Sequence, residues 1–401
     1  EFLQRFAQIL PLLAGSDWEI TGGQAQFVFD AVDNAFAPFV FENQMMDMVR
    51  GRKIARFNER DHGIGLLVNE SILRLTSAAD PETAARWRAR SKSWLQGEDF
   101  YNVLTHSAST TRVRLFKELL ADESVQPTPE PVNHKLSPSM ARAVHRRQGW
   151  AYGISMASKH ISYYERLASN GENRKAFHTG DGMTYLYLSS ESAQFADDFW
   201  PTVDLYRLPG TTVDSTRLPD GAGAGERPHP VSAKWVGGAT IGGEFAAIGM
   251  ELEALLSPLR AKKSWFCLDD YVLALGAGIR LEGNQAGGES RIETVVENRN
   301  LHASGANALL VDGTAQPVTP GSDAQFRDPS WAHVDGVGGY VFPAGGSLCV
   351  LREERTGAWS AIGPSGSPGD PITRRYLTMW FDHGTTPDDE SYAYLLVPGA
   401  S

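Results

Sequence analysis

Arg50, Arg52, Lys53 and Arg56 place four cations within seven residues of a 401-residue chain whose formal net charge is −11. A local excess of that kind needs a cause. If the stretch is helical or flanks a helix, Arg52 and Arg56 stand at i and i+4. Two guanidinium forks then project side by side toward one anion, and a planar carboxylate or sulfate is the natural guest. Taken alone, the run reads as a solvated helix face; its company further along the chain argues for more. Tyr163-Tyr164-Glu165, Asn170-Gly171-Glu172-Asn173-Arg174 and His178-Thr179-Gly180-Asp181-Gly182 follow one another in a region flanked by strand-like sequence. Asn170-Gly171 also reads as a plain hairpin turn. Glu165 is less easily dismissed: a carboxylate beside two tyrosine rings is partly desolvated unless a cation meets it, and the upstream arginines are the candidates.

Other chemistries find little support. His62, His106, His134, His145, His160, His178, His229, His302, His333 and His383 are scattered without metal-ligand spacing. None is paired with a carboxylate in a recognisable motif, so each reads as structural or exposed. Trp87, Trp94, Trp150, Trp200 and Trp265 read as core rather than as sugar platforms. No nucleophile elbow, P-loop or zinc pattern is present. Gly221-Ala222-Gly223-Ala224-Gly225 invites a dinucleotide-loop reading, but Pro228 and Pro230 break the segment that would have to be a helix, which makes it a surface loop.

The elements that must position these residues change character along the chain. Phe2, Phe6, Ile9, Leu10 and Leu13 recur at helical spacing, as do Phe27, Val28, Ala31, Val32, Ala35 and Phe36 before Pro38. Leu66, Leu67, Ile72, Leu73 and Leu75 mark another helix. Asp80-Pro81-Glu82 supplies an N-cap, a first-turn proline and a first-turn acid ahead of Ala84, Trp87, Ser91, Trp94 and Leu95, with Gly97 as a stop. Stacked helix pairs are implied. Pro127, Pro129 and Pro131 then form linker sequence, and the boundary is placed between a helical part, 1–125, and a strand-rich part, 126–401. Within the latter, Thr184 to Leu188, Trp265 to Leu275, Ile292 to Val296, Val337 to Phe342, Tyr376 to Phe381 and Tyr392 to Val397 read as strands of a large antiparallel domain.

With 42% hydrophobic and 21% charged residues, the composition is that of a folded globular protein, and no apolar run approaches the roughly 18 residues of a membrane span. Its acidic balance argues against general nucleic-acid binding while leaving room for a local cationic groove. Cys267 and Cys349 allow one disulfide that sequence alone does not establish.

Several segments together resemble the family 8 polysaccharide lyases, the group of hyaluronate, chondroitin AC and xanthan lyases. They are Met48 to Arg56, His134-Lys135-Leu136, Tyr164-Glu165 with Asn170 to Asn173, and His178 to Tyr185. Phe199-Trp200-Pro201-Thr202-Val203, Leu208-Pro209-Gly210-Thr211-Thr212, Tyr392-Ala393-Tyr394 and Pro398-Gly399-Ala400-Ser401 complete the set. The resemblance implies an α+β multidomain protein. Its helices would be the C-terminal part of an incomplete (α/α) toroid, followed by a large antiparallel β super-sandwich, with a substrate cleft where the two meet. It implies β-elimination on a uronic-acid polysaccharide, hyaluronan or chondroitin sulfate, in a secreted bacterial enzyme with no nucleic-acid or membrane partner. Arg52 and Glu165 take the matching catalytic positions, and Arg56, Asn170 and Asn58 the substrate-binding ones. The family's Asn, His and Tyr are expected upstream of residue 1, and a small C-terminal β domain beyond residue 401. No cofactor is required; a structural Ca2+ is compatible with the resemblance, but no residue pattern indicates one. Asn58, two places after Arg56, stands where xanthan lyases are expected to carry an aromatic residue, which favours hyaluronan or chondroitin over xanthan. The contrasting reading is a non-catalytic polysaccharide-binding module.

In the implied reaction the C5 proton of the uronate is barely acidic, so the negative charge spreading into the carboxylate must be stabilised. A tyrosine of pKa about 10 working as base needs a neighbouring guanidinium to favour its phenolate. Arg52 fits that role, with Glu165 holding it in place.

Overall fold

The helical periodicities of the first third become α1 (Phe2–Leu13), α2 (Gly23–Ala31), α3 (Asp61–Leu75), α4 (Pro81–Gly97) and α5 (Thr110–Ala121) in a computed structural model that describes residues 2–20, 23–106, 109–224, 231–283 and 290–401. The chain divides into two compact units, one formed by Glu1–Val49 with Glu59–Pro131, the other by Arg50–Asn58 with Val132–Ser401. The proline-rich stretch thus ends at the division. The arginine stretch, expected in the helical part, belongs instead to the sheet-bearing unit.

In the helical unit, α4 starts where Asp80 Oδ1 accepts from the backbone N–H groups of Glu82 and Thr83, each at 3.0 Å, ahead of Pro81 in the first turn. Trp87, Ser91, Trp94 and Leu95 form its buried face. The α2 helix widens into a π-helical turn, Val32–Phe36, before Pro38. Asp33 in that turn accepts from Arg86 Nη2 (2.6 Å), Trp87 Nε1 (3.1 Å) and Arg90 Nη1 (3.0 Å), tying the turn to α4. Helix α3 runs so close to the chain at Asn43 that a Cβ on Gly65 would lie 1.4 Å from the Asn43 carbonyl oxygen, a position only glycine can fill. One expectation is corrected. The α1 face that is buried is Leu3, Ala7 and Leu10, whereas Phe2 and Ile9 are exposed. Apolar residues occupy two sides of this helix, and its contact with α3, not periodicity, selects between them.

The second unit is built from antiparallel sheets. Four strands, Asn133–Ser137, Arg142–Arg147, Trp150–Met156 and Asp181–Leu188, follow one another in a meander. Nine form a long sheet in which Glu390–Pro398 lies between Gly338–Val341 and Val272–Leu281, and Leu259–Cys267 between Val272–Leu281 and Phe245–Glu253. A five-stranded sheet centres on Ser347–Gly357, Ile372–Asp382 and Ile292–Asn300. Trp150, Tyr152 and Leu186 of the first sheet, Ile248, Trp265 and Tyr394 of the second and Val296, Leu377 and Met379 of the third share one buried cluster, so the sheets are stacked as layers over a common core. The single strand expected from Trp265 to Leu275 is in fact a hairpin turning at 268–271, where Asp269 and Asp270 stand. Cys267 and Cys349 are both free thiols. The turn at Gly221 to Ala224 is described, but Gly225, Pro228, His229 and Pro230 lie outside the described residues. Among the described residues no helix is long and apolar enough to cross a membrane.

A charged lattice ties the 191–198 segment to the five-stranded sheet. His302 Nδ1 stands 2.8 Å from Asp197 Oδ2 and its Nε2 3.4 Å from Glu191, while Arg374 Nη2 donates to Asp197 (2.6 Å) and Asp198 (2.7 Å). The hydrogen bonds to Asp197 and Glu191 raise His302 to about 9. A folded value above the unfolded one of about 6.5 means that the stabilisation is full below pH 6.5 and is lost as pH rises through 9. Replacing His302 by Gln is therefore expected to cost up to roughly 3 kcal/mol near pH 6 and almost nothing above pH 9.5. Urea unfolding of both proteins across that range checks it; a pH-independent difference would contradict the assignment.

Candidate functional site

The arginine stretch forms a short 3-10 turn, Gly51–Ala55, rather than an α-helix, and the chain leaves it in extended conformation at Arg56. Gly51 adopts φ +56°, and a Cβ there would lie 2.0 Å from Glu165 Oε2. Glycine is thus required both by the left-handed backbone and by the approach of the carboxylate. Glu165 uses that approach: Oε2 accepts from the Arg52 backbone N–H at 3.0 Å, and Oε1 pairs with Arg52 Nη1. The two residues expected to act together do meet, and both lie in the sheet-bearing unit.

A second carboxylate, not singled out from sequence, organises the pair. Glu172 Oε1 accepts from Arg56 Nε at 2.6 Å, and Oε2 from Arg52 Nε and Arg56 Nη2, each at 3.3 Å. Its side chain is 0% exposed, against 31% for Arg52, 22% for Arg56 and 50% for Glu165. Such a buried carboxylate, shared by two guanidinium groups, lets two like charges stand close while both side chains stay partly exposed. Glu172 sits between Asn170 and Asn173 in the Asn-Gly-Glu-Asn run. Its missed signal was that each arginine in a like-charged pair needs compensation, and one acid at position 165 cannot supply both.

The loop that carries these acids is braced by its asparagines. Asn170 closes the turn Ala168–Asn170, and Gly171 follows with φ +74°. Asn170 Oδ1 accepts from the Glu172 N–H (3.1 Å), and Leu167 and Glu172 exchange backbone hydrogen bonds at 3.2 Å. Asn173 Nδ2 donates to the Glu165 carbonyl (2.7 Å) and its N–H to Ile362 O (2.8 Å). Ser365 donates its N–H (2.9 Å) and Oγ (3.1 Å) to Asn170 O, and Arg174 Nη2 reaches Ser360 O at 3.1 Å, so segment 359–365 backs the loop. The structure places Asn170 as a brace for Glu172. Asn58, the last residue of the arginine segment, is exposed, and Phe57 beside it is 40% exposed.

Three histidines that no recognisable motif pairs with a carboxylate meet one in space. His62 Nδ1 lies 2.9 Å from Glu98, His178 Nδ1 2.8 Å from Asp181 and His302 2.8 Å from Asp197, the first two pairs fully enclosed. His62 and Glu98 are far apart in sequence, and His178-x-x-Asp181 lies in a loop leading into a strand, so neither displays a helical pairing pattern. Below the strand Asp181–Leu188, Lys263 Nζ donates to Asp181 O and Thr212 Oγ1, both at 3.2 Å, and to Gly210 O. Burial lowers Lys263 to about 7 against the pull of Asp181. This cluster is sealed from solvent and ties loop 209–212 to the sheet.

Removing the shared carboxylate takes from Arg52 and Arg56 the enclosed acid that holds them side by side. Glu172→Ala is expected to lower stability by about 2–4 kcal/mol, more than Glu165→Ala, whose carboxylate is half exposed. Gly51→Ala should itself destabilise, because it strains the turn and drives Glu165 away. Equilibrium unfolding of the three variants checks the order; equal losses for Glu165→Ala and Glu172→Ala would contradict it.

Comparison with known proteins agrees with this architecture. Residues 1–93 match the N-terminal α-helical domain of polysaccharide lyase family 8, and residues 132–401 match the super-sandwich domain of that family. A hyaluronate lyase of Thermasporomyces composti is 44% identical over 401 residues, covering 100% of this chain and 50% of that protein. A xanthan lyase of Bacillus sp. (strain GL1) is 39% identical over 403 residues, covering 99% and 42%. The solved structure of a Streptomyces coelicolor A3 chondroitin AC lyase in complex with chondroitin sulphate superposes with a TM-score of 0.88 at 40% identity, covering 100% of this chain and 52% of that one. The chain thus spans half or less of the length of these curated relatives. Helices followed by stacked antiparallel sheets, matched across both domains, make this chain a member of polysaccharide lyase family 8.

Proposed function

We propose that the protein to which this chain belongs cleaves a uronic-acid glycosaminoglycan, hyaluronan or chondroitin, by β-elimination, and that Arg52, Glu165, Arg56 and Asn170 are this chain's contribution to the site. The observation that carries the reading is a partly exposed guanidinium pair held by two carboxylates. The C5–H and C4–O bonds of the uronate break, a C4–C5 double bond forms, and the proton passes to the departing glycosidic oxygen. Arg52 stabilises the phenolate that takes the proton, and Arg56 meets the substrate's own negative charge. Glu165 and Glu172 keep both guanidinium groups oriented.

The Asn that meets the substrate carboxylate and the His and Tyr that move the proton are assigned to the part of the protein outside this chain. Tyr152, Tyr163, Tyr340, Tyr376, Tyr392 and Tyr394 are poorly suited to that task, since burial pushes each phenol above its ordinary range. A polymeric substrate too large to enter a cell makes secretion part of the reading.

In the full-length protein, Arg52→Ala is expected to lower turnover by roughly a hundredfold or more, and Arg52→Lys to restore little, because a point charge cannot hold both carboxylates in the same way. The measurement is the rise in ultraviolet absorbance of the unsaturated uronate, with hyaluronan, chondroitin sulfate and xanthan tested in parallel. An unaltered rate in Arg52→Ala removes the residue from the mechanism. Binding without product on all three polymers would establish a binding module in place of a lyase.

A further inference from the structure

Away from the arginine turn, the four-stranded and nine-stranded sheets bring three ligating side chains to one buried spot. His134 and His145 are opposite one another in the antiparallel register of Asn133–Ser137 and Arg142–Arg147, with ring centroids 5.6 Å apart. Cys267 is the last residue of the strand Leu259–Cys267, where the chain turns toward Val272. One ligating atom from each of the three lies within 4.8 Å of the other two. His145 and Cys267 are 0% exposed and His134 is 7% exposed.

What distinguishes this cluster from an ordinary core is its unused lone pairs. His145 Nε2 lies 2.6 Å from the Leu268 carbonyl oxygen, which can only accept, so Nε2 carries the proton and Nδ1 presents a bare lone pair. That Nδ1 has no hydrogen-bond partner, and neither ring nitrogen of His134 has one. A protein rarely leaves three imidazole nitrogens unsatisfied in its interior. A carbonyl that fixes the far nitrogen of an imidazole is also the usual support of a metal-binding histidine. Burial, with the Arg147 guanidinium nearby, holds His134 at about 3 and His145 at about 4, so both rings are neutral, the form that ligates.

We infer that His134, His145 and Cys267 form a buried structural site for a thiophilic d10 cation of the zinc class. Two imidazoles and a thiolate are a borderline-soft donor set, which disfavours calcium and magnesium. The Cys267 thiol, pushed up to about 12 by burial, gives up its proton on coordination: the S–H bond is replaced by an S–metal bond, and one proton leaves to solvent. Such a bond would join the edge of the four-stranded sheet to the hairpin of the nine-stranded one. None of its ligands belongs to the arginine site, so it can fail or stand independently of the lyase reading.

The test uses the full-length protein, stripped with chelator and titrated with Zn2+ alone, and with Co2+ as reporter. One equivalent is expected to survive gel filtration in a form that raises Tm and that needs these residues. The Co2+ form should show the visible bands of a tetrahedral centre and a thiolate-to-cobalt charge-transfer band. Cys267→Ser should abolish the charge-transfer band and weaken retention at least tenfold; His145→Gln should weaken retention likewise, and exposed His160→Gln should change neither. Circular dichroism checks that each variant is folded. Failure of the folded wild-type protein to retain any equivalent overturns the inference, as does undiminished retention in the Cys267→Ser/His145→Gln double variant.

Discussion

A single enclosed carboxylate, Glu172, allows two guanidinium groups to stand side by side, and the local structure follows from that requirement. Arg52 and Arg56 would repel each other if left alone, and neither could be partly buried without compensation. Glu172 receives Nε from both. Burying it is tolerable because both of its oxygens accept from guanidinium groups, with the Asn170 amide at Oε2 as well, and its backbone is tied into the 167–172 bridge. The geometry also dictates the turn that carries the arginines. Gly51 must be glycine so that Glu165 can reach the Arg52 amide, and the 3-10 turn followed by extended chain at Arg56 leaves both guanidinium groups within reach of a common acid.

The large sheets supply the rigidity this arrangement needs. The acidic loop is anchored at its far side by Asp181, the first residue of a strand wholly buried between layers, and beneath it by Lys263, whose ammonium is satisfied by oxygens of two different segments. Segment 359–365 arrives from the turn between the two longest strands of the five-stranded sheet and presses its backbone against the acidic loop. A site on loops is precise only when the loops are held by elements that cannot shift independently, and here the shared core of three sheets performs that task.

The buried polar residues divide into two kinds. Arg207 and Glu293 form a bidentate pair at 2.7 and 2.8 Å, and the His302 lattice pins a segment to a sheet edge; in both, charge is matched by charge. The His134, His145 and Cys267 cluster differs because three of its four ring nitrogens are left unmatched beside a thiol. Other buried polar atoms, among them His178 Nε2 and Asp181 Oδ1, also lack a hydrogen-bond partner, but here the unmatched nitrogens and a thiol converge on one point, where a cation can use them.

Local sequence determined a good deal. Periodicity and capping residues gave α4 its start at Asp80 and its buried Trp87 and Trp94. Alternation found the strands around Ile292, Tyr376 and Tyr392, and the excess of arginine in an acidic chain pointed to the Arg52 and Glu165 pair that the fold brings together. These are properties carried by neighbours in the chain, through spacing, propensity and charge. Other features depended on what distant segments bring into contact: which face α1 buries, the hairpin hidden at Asp269 and Asp270, and the membership of Arg50–Asn58 in the sheet-bearing unit. Glu172 stood in plain view within Asn-Gly-Glu-Asn, yet its role arises only because the fold takes it out of water between two guanidinium groups 116 and 120 positions away. Burial and long-range register are collective quantities. A residue's chemistry can be read from its type, but whether it is solvated, and by what it is faced, is decided when the sheets close.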